Sequence, residues 1–138
     1  MDKTFELEIL TPEEIIFKAE VVRIRVPGSE GYFGIMTGHA PFVTSLKPGE
    51  LKVDLADGSA KYFATSSGIV EVLQKTTKIL VETAEDAKEI DVNRAMNAKA
   101  RAEKRLKEKA LETDITRAKI AWEKACNRIR VFKKADHS

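Results

Sequence analysis

Leu51-Lys52-Val53-Asp54-Leu55-Ala56-Asp57-Gly58-Ser59-Ala60-Lys61-Tyr62-Phe63-Ala64-Thr65 decides the architecture of the N-terminal part of the chain. Leu51, Val53 and Leu55 alternate with Lys52 and Asp54. A period of two puts successive side chains on opposite faces of an extended strand, so the pattern predicts a strand with one face in a core and the other in water. Asp57-Gly58 then interrupts it before Tyr62 to Thr65. Glycine tolerates the positive φ that tight primed turns require, and the stretch therefore reads as a β-hairpin. Moving outward, Phe5, Leu7 and Ile9 alternate with Glu6 and Glu8, and Val22, Ile24 and Val26 alternate with Arg23 and Arg25. Further short strands are predicted around Ile69 to Leu73 and Lys78 to Glu82. Short strands punctuated by turn signals every 8 to 12 residues or so favour an antiparallel sandwich or barrel over alternating β and α units.

Past this region the pattern changes. All 7 glycines and all 4 prolines lie at or before Gly68, which leaves the last 70 residues without either helix breaker. From Asp91 the spacing of Ala95, Ala98, Ala102 and Leu106 is helical, and Ala118, Ala121, Trp122, Ala125 and Ile129 repeat it after an interruption. The chain is therefore expected to be all-β followed by α: an N-terminal antiparallel β-sandwich over residues 1–87 and a C-terminal α-helical hairpin over 88–138. Asp91 is expected to cap the first helix and Thr113 or Asp114 the second, with a short link near Leu111 to Asp114. An alanine seam lets helix backbones come close, yet it buries two to three fewer carbons per position than leucine would. At about 0.8 kcal/mol per CH₂, that forgoes roughly 2 kcal/mol per site. Two helices of this length are marginal alone, so their conformation should depend on what they touch.

Composition bounds the function. With 138 residues and 43% hydrophobic content, the chain has room for one modest core plus an appendage, too little for a large multidomain enzyme. The formal net charge is only +2, which announces neither nucleic acid nor membrane binding, but the charge is unevenly spread. Residues 1–87 hold 9 basic and 14 acidic side chains, a net of −5, and residues 88–138 hold 15 and 8, a net of +7. The single cysteine, Cys126, has no partner for an internal disulfide and no metal-ligand spacing, as befits a reducing cytoplasm. The acidic start Met1-Asp2 resembles neither a secretory signal nor a transit peptide, and no apolar run approaches the roughly 18 residues a membrane span needs. Any membrane association is expected to be peripheral.

The segment Pro27-Gly28-Ser29-Glu30-Gly31-Tyr32-Phe33-Gly34-Ile35-Met36-Thr37-Gly38-His39-Ala40-Pro41-Phe42-Val43-Thr44-Ser45-Leu46-Lys47-Pro48-Gly49-Glu50-Leu51 resembles the glycine-rich signature of the epsilon subunits of F-type ATP synthases. Ser67-Gly68-Ile69-Val70-Glu71-Val72 and Ala84-Glu85-Asp86-Ala87-Lys88-Glu89-Ile90-Asp91-Val92-Asn93-Arg94-Ala95 extend the likeness nearly end to end. That family has a sandwich followed by a helical hairpin. The resemblance implies a non-catalytic rotor component bound to the gamma subunit and the c-subunit ring, at the cytoplasmic face of the bacterial cell membrane. It also implies C-terminal helices that reach the catalytic beta (and alpha) subunits and restrain ATP hydrolysis. Tyr32 stands where relatives often carry an acidic residue facing the c ring, and His39 matches the family pattern; both are candidate interface residues toward the c ring or gamma.

Ile90-Asp91-Val92-Asn93-Arg94-Ala95 further resembles the motif by which some bacterial epsilon subunits bind ATP. Carried across, Glu85, Ile90, Asp91, Arg94 and Ala95 line the adenine side, and Arg94 and Arg128 meet phosphates, for which the guanidinium fork is suited. Lys124 stands where strong binders often have arginine, which implies weaker affinity. No cofactor is required; ATP enters only as a regulatory ligand. The plainer reading makes Asp91 a helix cap and Arg94 and Arg128 solvated charges. Trp122 and Phe132 read as packing groups on the second helix, and Cys126 as inert packing.

No catalytic constellation emerges. His39 has only His137 as a fellow histidine and no nucleophile or carboxylate cluster around it. Gly28, Gly31, Gly34 and Gly38 lack the Gly-Lys-Ser/Thr ending of a phosphate loop. The alternative function from another class is a nucleic-acid-binding module that uses the basic hairpin on phosphates. The acidic β region argues against it.

Overall fold

The computed structural model describes residues 3–108 and 112–136, with side chains described over 3–108 and 114–135. The chain divides into two compact units, Met1–Asp86 and Ala87–Ser138. The first unit holds β1 (Phe5–Leu10), β2 (Ile15–Gly28), β3 (Gly31–Met36), β4 (Phe42–Leu46), β5 (Gly49–Leu55), β6 (Ala60–Thr65), β7 (Gly68–Val72), β8 (Thr76–Val81) and β9 (Ala84–Asp86). Hydrogen bonding joins them in the order β1-β8-β7-β4-β2-β5-β6-β9, with β3 on β2 and a further pairing of β1 with β2. One pair departs from the antiparallel expectation: β1 and β8 run parallel, Leu7 opposite Thr77 and Ile9 opposite Ile79.

The 14-residue β2 is what makes a sandwich of this set. Its first half pairs with β1, its second half with β3 and β5, and its last residue, Gly28, with Leu46 of β4. A strand that passes from one layer to the other needs a bend, and a register shift between Val21 and Arg23 supplies it. The bend also revises the simple alternation. Val21, not Val22, faces inward with Ile24 and Val26: Val21 is fully buried and Val22 is 39% exposed. The extra residue of the bulge flips the side chains that precede it.

The core between the layers is made of Leu7, Ile9, Val21, Ile24, Val26, Ile35, Leu51, Val53, Phe63, Val70 and Ile79, all essentially inaccessible. Phe17 packs edge-on to Phe63 with ring centroids 5.4 Å apart. Burying one such side chain is worth about 1.5–3 kcal/mol, and this unit holds most of the large ones.

The predicted hairpin is present, with Leu51 opposite Phe63 and Val53 opposite Lys61. Its turn is of a different kind. Gly58 has φ +91°, but among the described residues no non-glycine residue has a positive φ, so Asp57 and Gly58 do not form a primed pair. Gly58 N–H donates to the Leu55 carbonyl (3.1 Å) and Leu55 N–H to the Ser59 carbonyl (2.9 Å), a three-residue connection closed by a left-handed glycine. Asp57 Oδ1 accepts from the Ser59 amide at 2.8 Å and from its hydroxyl at 2.6 Å.

The second unit begins with a single 3₁₀ turn (Ala87–Glu89), followed by α1 (Val92–Lys107) and α2 (Glu112–Asp136), which pack against each other as a helical hairpin. Ala95, Ala102, Ala118 and Ala125 are buried as the seam requires; Ala121 is exposed. The second cap is displaced. Because α2 already starts at Glu112, Thr113 and Asp114 lie in its first turn rather than at its cap. Leu111, at the predicted link, lies outside the described residues, as does His137.

Candidate functional site

The candidate nucleotide motif sits where the chain enters α1. Ile90 is buried, and its N–H donates to the Ala87 carbonyl at 3.3 Å, closing the 3₁₀ turn. Asp91 is extended (φ −81°, ψ 96°) and is the N-cap. Its Oδ1 accepts from Arg94 N–H at 3.0 Å, and its carbonyl accepts from Ala95 N–H at 3.0 Å. Asp91 thus takes up one of the helix-start donors that otherwise lack partners. The cap turns the Arg94 side chain out to solvent while Ala95 is fully buried.

Arg128 lies half-buried on α2. Since α1 and α2 form a hairpin, the start of α1 lies toward the end of α2. Four of the six carried-over residues, Ile90, Asp91, Arg94 and Ala95, lie at the entry to α1, and Arg128 is on the companion helix. Glu85 belongs to the other unit, on β9 opposite Ala64 of β6. Lys124 is exposed on α2. Next to Arg128, Asn127 is buried and its Oδ1 accepts from Arg130 Nη2 at 3.0 Å. Sequence reasoning did not single out this polar pair, although Asn127 and Arg130 stand three residues apart, a spacing that meets on a helix.

The two interface candidates lie on the sandwich. His39 is exposed in the connection between β3 and β4, its ring 6.2 Å from that of Phe42. Tyr32 begins the outward run of β3, opposite Pro27. The residue is 42% exposed. The Arg25 guanidinium carbon lies 4.5 Å from the ring centroid, a cation–π contact, and Tyr32 Oη accepts from Glu50 N–H at 3.1 Å. Arg25 and Glu50 were not predicted. Ion pairs on the sandwich, Arg23 to Asp54 (3.0 Å) and Lys61 to Asp86 (2.9 Å), are partly exposed and worth little individually. The depression of about 250 Å³ lined by Leu10, Pro12, Gly68, Leu80 and Glu82, among others, is mostly apolar and brings no base or nucleophile pair together.

Comparison with known proteins follows this division. A family model described as the beta-sandwich domain of the ATP synthase delta/epsilon chain matches residues 4–87, and one described as the long alpha-helix domain of the same chain matches 88–133. The chain is 45% identical over 133 residues to a protein of Syntrophomonas wolfei named ATP synthase epsilon chain, covering 96% of this chain and 97% of that one. Proteins of the same name from Desulforamulus reducens and Staphylococcus epidermidis are each 46% identical, covering 94% and 93% of this chain and 98% and 96% of theirs. Among solved structures, a chain of the Euglena gracilis mitochondrial ATP synthase (OSCP/F1/c-ring) shares the fold with a TM-score of 0.72 at 22% identity, over 99% of this chain and 81% of that one. A chain of the Tetrahymena thermophila mitochondrial ATP synthase central stalk/c-ring gives 0.59 at 23% identity, with 94% of each covered.

Proposed function

This chain belongs to the ATP synthase delta/epsilon family, and from that premise we propose that it serves as a non-catalytic rotor and regulatory component of a bacterial F-type ATP synthase. The sandwich binds the gamma subunit and the c-subunit ring, and the hairpin opposes ATP hydrolysis at the catalytic beta and alpha subunits. The observation that carries this reading is the end-to-end family match, in which sandwich and hairpin are each covered. The same match leaves the nucleic-acid-binding alternative without support.

Among the described residues no helix is long and apolar enough to cross a membrane. On the proposed role the chain is held at the membrane through its partners, at the cytoplasmic face. The basic α1 surface, with Lys104, Arg105 and Lys107 in its last turn, suits acidic segments of the catalytic subunits, an attraction that added salt should weaken.

The hairpin is the regulatory part because its seam is weak. Alanines at 95, 102, 118 and 125 bury little area per residue, so a ligand or partner of modest differential affinity can shift its conformation. ATP at the start of α1, with Arg94 and Arg128 toward its phosphates, favours a compact hairpin packed on the sandwich and relieves inhibition. An extended hairpin beside gamma opposes hydrolysis. The test is to replace Cys126 by Ser and introduce crosslinks that lock each state in the reconstituted complex. ATPase activity should be low with the hairpin locked to gamma and high with it locked to the sandwich. Equal rates would overturn the switch and leave a structural coupling part.

A further inference from the structure

The connection between β2 and β3 is held by groups on two sides that a simple tight turn does not require. Toward β4, Ser29 N–H donates to the Ser45 carbonyl at 3.1 Å, Lys47 N–H donates to the Pro27 carbonyl at 2.9 Å, and the Ser29 and Ser45 hydroxyls bond to each other. Toward β5, the Tyr32 phenol oxygen accepts the Glu50 amide at 3.1 Å while Arg25 lies over the ring. Between the two, Gly49 has no free space: a Cβ there would fall 2.7 Å from Pro27 Cβ and 2.9 Å from Tyr32 Oη. Gly28 is as tightly enclosed, 2.7 Å from Phe33 Cε1 and 2.8 Å from the Gly31 carbonyl. The hydrogen bonds between the two sides join residues 16 to 20 positions apart in sequence.

We infer that Tyr32 is a positioning residue: with Ser29 it locks the β2–β3 tip to the β4–β5 turn, so that two loops form one rigid end of the sandwich. The hydroxyl is turned inward to the Glu50 amide, and only part of the ring faces out. The tip residues Ser29 and Glu30, and Lys47 and Pro48 of the neighbouring turn, are exposed and are carried on this end. A part that transmits rotation to a partner through such a surface needs its loops stiff, because a compliant contact absorbs strain instead of passing it on. The inference rests on the rotor role proposed above only for this last step; the brace itself is a property of the chain.

Tyr32→Phe removes the oxygen and keeps the ring under Arg25; Ser29→Ala removes the hydroxyl bond of the opposite tie and leaves its two backbone bonds. In the full chain, hydrogen exchange at the Glu50 amide should accelerate about fivefold in Tyr32→Phe, the loss of one ordinary hydrogen bond, with the global melting temperature lowered by only a few degrees. In an epsilon-depleted synthase complex supplied with the variant, protons pumped per ATP hydrolysed should fall, and the double variant should lose more than the two single losses combined. Unchanged exchange at Glu50 would refute the brace. Faster exchange with unchanged pumping per ATP would refute its positioning role. If wild-type chain fails to restore coupling to the same complex, the rotor role itself is wrong, and the exchange result still decides the brace.

Discussion

Asp91 offers the sharpest separation of a local structural role from a ligand-binding one. Its Oδ1 takes the Arg94 amide at 3.0 Å, and the first turn of α1 contains no acidic residue, so Asp91 supplies both the cap and the negative charge at that helix start. Removing a cap costs about 1 kcal/mol, and the charge at the positive end of the helix dipole adds roughly 0.5 kcal/mol. Asp91→Ala should therefore lose about 1.5 kcal/mol. Asp91→Asn keeps a capping oxygen and should lose only about 0.5 kcal/mol. Urea melts followed by the helical circular dichroism signal, repeated at low and high salt, measure both terms, since only the charge contribution is screened. If Asp91→Ala melts like wild type, or Asp91→Asn is the weaker of the two, the capping argument is wrong.

Gly68→Ala should destabilise the sandwich by about 3 kcal/mol, the upper range for overpacking, because its Cβ would lie 2.1 Å from the Leu80 carbonyl oxygen; a denaturant melt of the full chain checks this. ATP at a hundredfold excess over its dissociation constant should stabilise the hairpin by about 2.7 kcal/mol. Arg94→Ala and Arg128→Ala should each shrink the corresponding shift in melting temperature, and calorimetry showing no binding at millimolar ATP would remove the site. The Asp57 carboxyl is held below its usual range, first by the Ser59 hydroxyl and then by the Ser59 amide. The resulting stabilisation is present above the ordinary aspartate range near pH 4 and is lost as pH falls through the lower folded value. Asp57→Asn should therefore flatten the acid limb of stability against pH, and an unchanged limb would contradict it.

What could be read from the residues in order was whatever is governed by near neighbours. The alternation around Leu7, Val53 and Ile79 reports strands because it is a two-residue period. Asp91 announces a helix start because its oxygen needs only to reach Arg94, three residues on. The seam of Ala95, Ala102, Ala118 and Ala125 follows from helical spacing, and the family motif around Ile90 to Ala95 is contiguous. Sequence therefore determined the sandwich, the hairpin and most of the candidate nucleotide turn. Tertiary structure decided what depends on residues distant in the chain. The bulge that puts Val21 rather than Val22 in the core exists because β2 must serve both layers. The parallel pairing of β1 with β8 brings together segments about 70 residues apart. The inward turn of the Tyr32 hydroxyl depends on Glu50, and the tie of Ser29 on Ser45. None of these pairings can be read from a local pattern, because burial and long-range hydrogen bonding are settled only when the whole sheet closes, and the most favourable packing of the core overrides the local pattern.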